Sequence, residues 1–128
     1  MSGPPAVPAL TRLLDQDRVN AYAEVGSDRN PIHLDPDFAR RNGFDSSIAH
    51  GMLVLSLVSE AMSAALGKRW ANGGALKIRW RAPALIPVTV TARAELRSES
   101  DGVATYDVTC EDERGTVLLT GTASVAYR

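Results

Sequence analysis

A single cysteine, Cys110, stands in a chain of 128 residues. An intramolecular disulfide is therefore impossible, and no cysteine-based zinc site can form within one chain. A lone thiol is compatible with a reducing compartment. Net charge is also scarce. Fourteen Lys and Arg face 15 Asp and Glu, a balance of -1. Such a chain has no global field to attract nucleic acid or an anionic membrane, although a local basic patch stays open. Long hydrophobic runs are missing as well. The most apolar stretch, Gly51 to Leu66, contains Ser56, Ser59, Glu60 and Ser63. It is too short and too polar for a membrane span. The first eight residues, MSGPPAVP, have neither a positive region nor an apolar core, so they do not read as a signal peptide. The expectation is a cytoplasmic protein of one domain, with residues 1–8 as a mobile start and the fold over residues 9–128.

What is present is ordinary for a globular chain: 45% hydrophobic and 23% charged residues. Ala9 to Leu14 reads as a short strand or lead-in. Asp15 is placed to cap a helix from Gln16 to Val25, with Val19, Tyr22 and Ala23 as its buried stripe and Gly26 as its end. Ser27 to Asp35 reads as a loop, because Pro31 pushes Asn30 away from the α region. Asp35-Pro36 then opens a second short helix that ends near Gly43. From Gly51 to Leu66 apolar residues cover most of a helix surface, which marks a buried helix about 24 Å long.

Beyond Gly67 the period changes from 3.6 to 2. Leu76 to Trp80, Val88 to Leu96, Ala104 to Cys110 and Val117 to Tyr127 alternate apolar with polar residues. Turn residues separate them, so four strands are expected as a meander. The order predicts a segregated α+β fold with an antiparallel sheet laid around one long helix. No repeat or second domain is visible. Cys110 falls on the inward register beside Val108 and reads as a buried, inert thiol. Lys77, Arg79 and Arg81 share one strand face. That face is either solvated or in contact with an anionic partner.

Chemistry concentrates in Ser27-Asp28-Arg29-Asn30-Pro31-Ile32-His33-Leu34-Asp35. Asp28 and His33 stand five apart across a proline turn. A carboxylate and an imidazole held on one rigid loop are suited to general acid–base catalysis. Asn30 is suited to shaping the turn by bonding nearby backbone. Asp35 reads as a helix cap. Gly51, after His50, opens the buried helix. The first N–H groups of a helix lack internal partners, and glycine lets a ligand approach them. Together they offer an oxyanion hole for a carbonyl that becomes an enolate, an effect of about 3 kcal/mol. His50 has only its position beside Gly51 in its favour and reads as a packing or hydrogen-bonding residue. The spacing of Asp28, His33, Asp35 and His50 matches no metal motif, so no metal is expected.

These residues carry a resemblance. Val25 to Asp35, with D-x-N-P-x-H-x-D intact, followed by Ala49-His50-Gly51-Met52-Leu53, is similar to the hydratase motif of MaoC-like (R)-specific enoyl-CoA hydratases and 3-hydroxyacyl-thioester dehydratases. One departure is visible: many members have glycine directly before the aspartate, where this chain has Ser27. The resemblance implies a single hot-dog domain that dimerises, with active sites at or near the interface. It implies that Asp28 and His33 activate water for addition to Cβ of a trans-2-enoyl thioester, giving the (R)-3-hydroxyacyl product, or run the reverse dehydration. The Gly51 N–H would hold the thioester oxygen. Ser59, eight residues on, matches a serine that lines the site, and Asn30 joins it as a substrate-binding residue. No cofactor is implied, because a thioester already acidifies its α-proton. The carrier would be coenzyme A or acyl carrier protein, within fatty-acid metabolism. Two alternatives stay open: a hot-dog acyl-CoA thioesterase, and one subunit of a hetero-oligomeric dehydratase acting on carrier-protein substrates.

Overall fold

The computed structural model describes residues 3–128. Met1 and Ser2, part of the expected mobile start, lie outside the described residues. The strand β1 covers Val7–Leu14, so it begins two residues inside that segment. Pro5 is tied down as well, since its carbonyl accepts the Tyr106 hydroxyl at 2.7 Å.

Helix α1 (Gln16–Gly26) starts where Asp15 accepts the Arg18 N–H, and it buries Val19 and Ala23. Two short helices follow, α2 (Pro31–Leu34) and α3 (Pro36–Arg41). The stretch expected as a loop thus contains a helical turn. Pro31 begins that turn instead of preventing one, because its missing N–H falls at a position that needs no donor. Helix α4 (Gly51–Leu66) buries Leu53, Val54, Leu57, Val58, Ala61, Met62 and Leu66. Each large side chain so buried contributes about 1.5–3 kcal/mol of transfer free energy. A further helix, α5 (Lys68–Gly73), follows Gly67 and buries Trp70.

The remaining strands are β2 (Ala75–Trp80), β3 (Val88–Ser100), β4 (Val103–Asp112) and β5 (Val117–Ala126). They form one five-stranded antiparallel sheet in the order β1-β3-β4-β5-β2. Strands β3 to β5 are the expected meander. Strand β2 is not part of it: it pairs with β5 at the far edge, and β1 takes the place beside β3. Gly121 permits that edge pairing, because a Cβ there would stand 2.1 Å from the Lys77 carbonyl oxygen. The inner face presents Val90, Ala92, Tyr106, Val108, Cys110, Leu119 and Ala123 to α4, all nearly inaccessible. Burial pushes the Cys110 thiol up to about 12, and its Sγ lies 3.7 Å from the Val54 carbonyl. The sheet and α4 therefore hold one core, with the polar turn at residues 27–35 placed at the start of α4.

Candidate active site

The site is built on the end of α1. Ser27 caps that helix in the left-handed region, φ 55° and ψ 31°, and this reverses the chain into Asp28. Asp28 Oδ1 accepts the Asn30 N–H at 3.2 Å. Asn30 Oδ1 accepts the Ile32 N–H at 3.0 Å and caps α2. Asp35 accepts from Asp37 and Phe38 and caps α3. Each short polar side chain thus satisfies an orphan backbone donor. Asn30 acts here through the turn and is not part of the cavity wall described below.

His33 is held by its second ring nitrogen. Its Nδ1 lies 2.7 Å from the Ile48 carbonyl. A carbonyl only accepts, so Nδ1 carries a proton, and in the neutral ring Nε2 keeps its lone pair. Ile48 is itself fixed, since its N–H donates to the Ile32 carbonyl at 3.2 Å. Ala49 donates to the Ala84 carbonyl, and the Ser47 carbonyl accepts from Ile86. The segment before α4 is therefore laced to the segment after β2. The free Nε2 stands 3.8 Å from Asp28 Oδ2. The imidazole is 11% exposed and the carboxylate 52%.

His50 supports both partners. Its Nε2 donates to the Asp28 carbonyl at 2.9 Å. Its ring stacks on His33 with centroids 3.9 Å apart and an interplanar angle of 25°. Tyr22 closes the other side at 4.8 Å. His50 is almost fully buried, so it is a structural brace inside the site, in keeping with a packing and hydrogen-bonding role.

Among the described residues, no Lys or Arg neutralises Asp28. Arg29, its neighbour in sequence, turns to Glu24 and bonds it through Nε and Nη2 at 3.1 and 2.8 Å. That pairing holds the Glu24 carboxyl below its ordinary range and raises Arg29. The ligand atoms of Asp28, His33 and His50 fall within 4.8 Å of one another, and these are the residues that a metal ion would use. Each imidazole spends one nitrogen on a carbonyl and keeps the other for the site.

His33 and Gly51 line one cavity of about 360 Å³, walled by Ile48, Val54, Trp80 and Leu118. Gly51 is the first residue of α4, and His50 makes no side-chain cap. The Gly51 N–H has no partner among the described residues, so a donor faces an apolar chamber. The Trp80 ring lies over it: a Cβ on Gly51 would be 3.0 Å from that ring. Trp80 lines the cavity, whereas in the sequence it reads only as the last apolar position of an alternating strand. It is half exposed, and the alternation gave no signal of this because the strand ends there. Ser59 does not join the cavity. Its Oγ accepts the Trp70 Nε1–H at 2.9 Å, two turns and more along α4, about 12 Å from Gly51.

A long helix against one antiparallel sheet, with a carboxylate–imidazole pair at the helix start, defines a hot-dog protein. The comparisons agree. The model of the MaoC-like domain matches residues 3–117, and the chain belongs to that family. It is 31% identical over 122 residues to an (R)-specific enoyl-CoA hydratase of Aeromonas caviae, covering 91% of this chain and 88% of the relative. A solved structure described as the (R)-hydratase from A. caviae involved in PHA biosynthesis superimposes with a TM-score of 0.80 at 29% identity, over 94% of this chain and 93% of that one. A mitochondrial 3-hydroxyacyl-[acyl-carrier-protein] dehydratase of Arabidopsis thaliana is 46% identical over 54 residues, 42% of this chain and 32% of that protein.

Proposed function

We propose that this protein is a hydro-lyase that adds water across the double bond of a trans-2-enoyl thioester, or removes it from the (R)-3-hydroxyacyl product. The observation that carries this reading is the His33–Asp28 pair. A carboxylate oxygen and an imidazole lone pair 3.8 Å apart are both acceptors and cannot bond each other. Water has two O–H groups and can donate one to each. It is thereby oriented for attack and can lose a proton to the pair.

The water oxygen bonds to Cβ as its proton passes to the Asp28/His33 pair. The π electrons move toward the carbonyl, and the Gly51 N–H stabilises the enolate oxygen that forms. The proton then returns from the pair to Cα, so one water is added and the catalyst is restored. Asn30 serves by fixing the turn. The relatives named above support both directions and both carriers, coenzyme A and acyl carrier protein. We place the protein in the cytoplasm, in acyl-thioester metabolism, as a homodimer. The outer edge of β2, beside the cavity wall residue Trp80, is a free sheet edge within the chain. Among the described residues, no helix is long and apolar enough to cross a membrane.

The test is loss of enoyl-thioester absorbance with crotonyl-CoA and with a longer trans-2-enoyl-CoA. Wild type should consume at least one of them. Asp28→Asn should keep the fold and lower turnover at least about 100-fold. Equal rates in wild type and variant would overturn the assignment, and release of free coenzyme A from a saturated acyl-CoA would favour a thioesterase.

A further inference from the structure

Arg81 stands at a junction. It lines the cavity that contains His33 and Gly51, and its Nε donates to Thr120 Oγ1 at 3.1 Å. Thr120 also lines a shallow groove of about 230 Å³ on the sheet, together with Lys77, Arg79 and Thr122. Lys77 and Arg79 occupy alternate positions of edge strand β2. Arg81 continues the alternation, its N–H still bonded to the Leu118 carbonyl at 2.9 Å. Alternate residues share a face and recur about every 6.6 Å, so the three cations span about 13 Å.

All three are exposed, and among the described residues none is in an ion pair. The contrast lies in the same sheet, where Arg93 is matched by Glu111 and Arg97 by Asp107. A row of unmatched cations repels itself and favours an anionic ligand. Guanidinium groups suit phosphate oxygens in geometry as well as charge. The row also begins where the apolar cavity opens. A molecule that is apolar at its reacting end and anionic at the other fits this sequence of surroundings.

We propose that Arg81, Arg79 and Lys77 form a phosphate-binding rail for the phosphorylated pantetheine arm of the thioester substrate, leading from the cavity mouth along β2. The proposal rests on the enoyl-thioester reading for the identity of the ligand, and its test does not depend on turnover. The affinities of coenzyme A, 4′-phosphopantetheine and phosphate-free pantetheine would be measured by titration calorimetry, for wild type and for K77Q/R79Q/R81Q. Wild type should prefer coenzyme A over pantetheine by at least about 10-fold, the effect of a few exposed charge-assisted contacts. The triple variant should lose that preference, and added salt should erode it in wild type. A gain already complete with 4′-phosphopantetheine assigns the rail to the one phosphate that a carrier protein also supplies. A further gain with coenzyme A assigns it to the nucleotide phosphates too. Equal affinities in wild type, or a preference that survives in the variant, would overturn the rail. If the triple variant melts lower, the exposed pair K77Q/R79Q gives the same reading. A retained preference for coenzyme A without hydration of any enoyl-CoA would sink the hydratase reading and leave the rail standing.

Discussion

Ser27 sets the turn that places Asp28, and with it the proposed acid–base pair. Its φ of 55° lies where an L side chain is strained and glycine is not. Many members of the family place glycine at this position, and the geometry explains why. Ser27→Gly should therefore stabilise the fold by about 1 kcal/mol, a rise in Tm of about 3–5 °C by calorimetry. An unchanged or lower Tm would mean that the Ser27 side chain offsets its own strain. His50 acts at the same scale. It bonds the Asp28 carbonyl, not the carboxylate, so it fixes where Asp28 stands without taking a proton from it. Its stacking on His33 does the same for that ring. Cys110, by contrast, is sealed in the core, and a thiol pushed up to about 12 takes no part in the chemistry at neutral pH.

At the scale of elements, the start of α4 carries the most consequence. Gly51 presents an unpaired N–H to the cavity with the Trp80 ring directly above. A methyl group at that position must displace the ring, and the half-exposed Trp80 has room to move. Gly51→Ala should consequently keep its Tm within about 2 °C and lose turnover by about 10-fold or more, because the donor and the wall no longer fit the carbonyl. A fold-neutral variant with full turnover would remove the Gly51 N–H from the mechanism. The caps tell a related story. Asn30 and Asp35, which read in the sequence as turn-shaping and capping residues, each spend a side chain on the first N–H groups of a short helix.

Across the whole molecule, the sheet order places β1 and β2 at opposite edges. The N-terminal segment is thereby drawn onto the fold, where Pro5 receives the hydroxyl of fully buried Tyr106. Deleting residues 1–6 should cost about 1–3 kcal/mol, the penalty for a buried hydroxyl left without its partner. The urea midpoint would report it. The same deletion in a Tyr106→Phe background should cost less, and equal losses in both backgrounds would show that the bond contributes nothing.

Much of this was legible from local chemistry. The periods of 3.6 and 2 marked α4 and the strands β3 to β5, because burial imposes those spacings directly. The Asp28-x-Asn30-Pro31-x-His33 turn was legible because its residue types are constrained within a few bonds of one another. Strand β2 looked equally regular, yet its place beside β5 follows from pairing that runs from Trp80 with Leu119 to Ala75 with Ser124 and from the absence of a side chain at Gly121. The tautomer of His33 depends on a carbonyl fifteen residues on. The positions of Trp80 over Gly51, of Ser59 against Trp70, and of Arg81 between cavity and groove depend on how sheet and helix pack. Spacing along a chain reports which face a residue occupies. Only the folded chain decides what stands opposite that face, since such contacts join segments with no fixed relation in sequence.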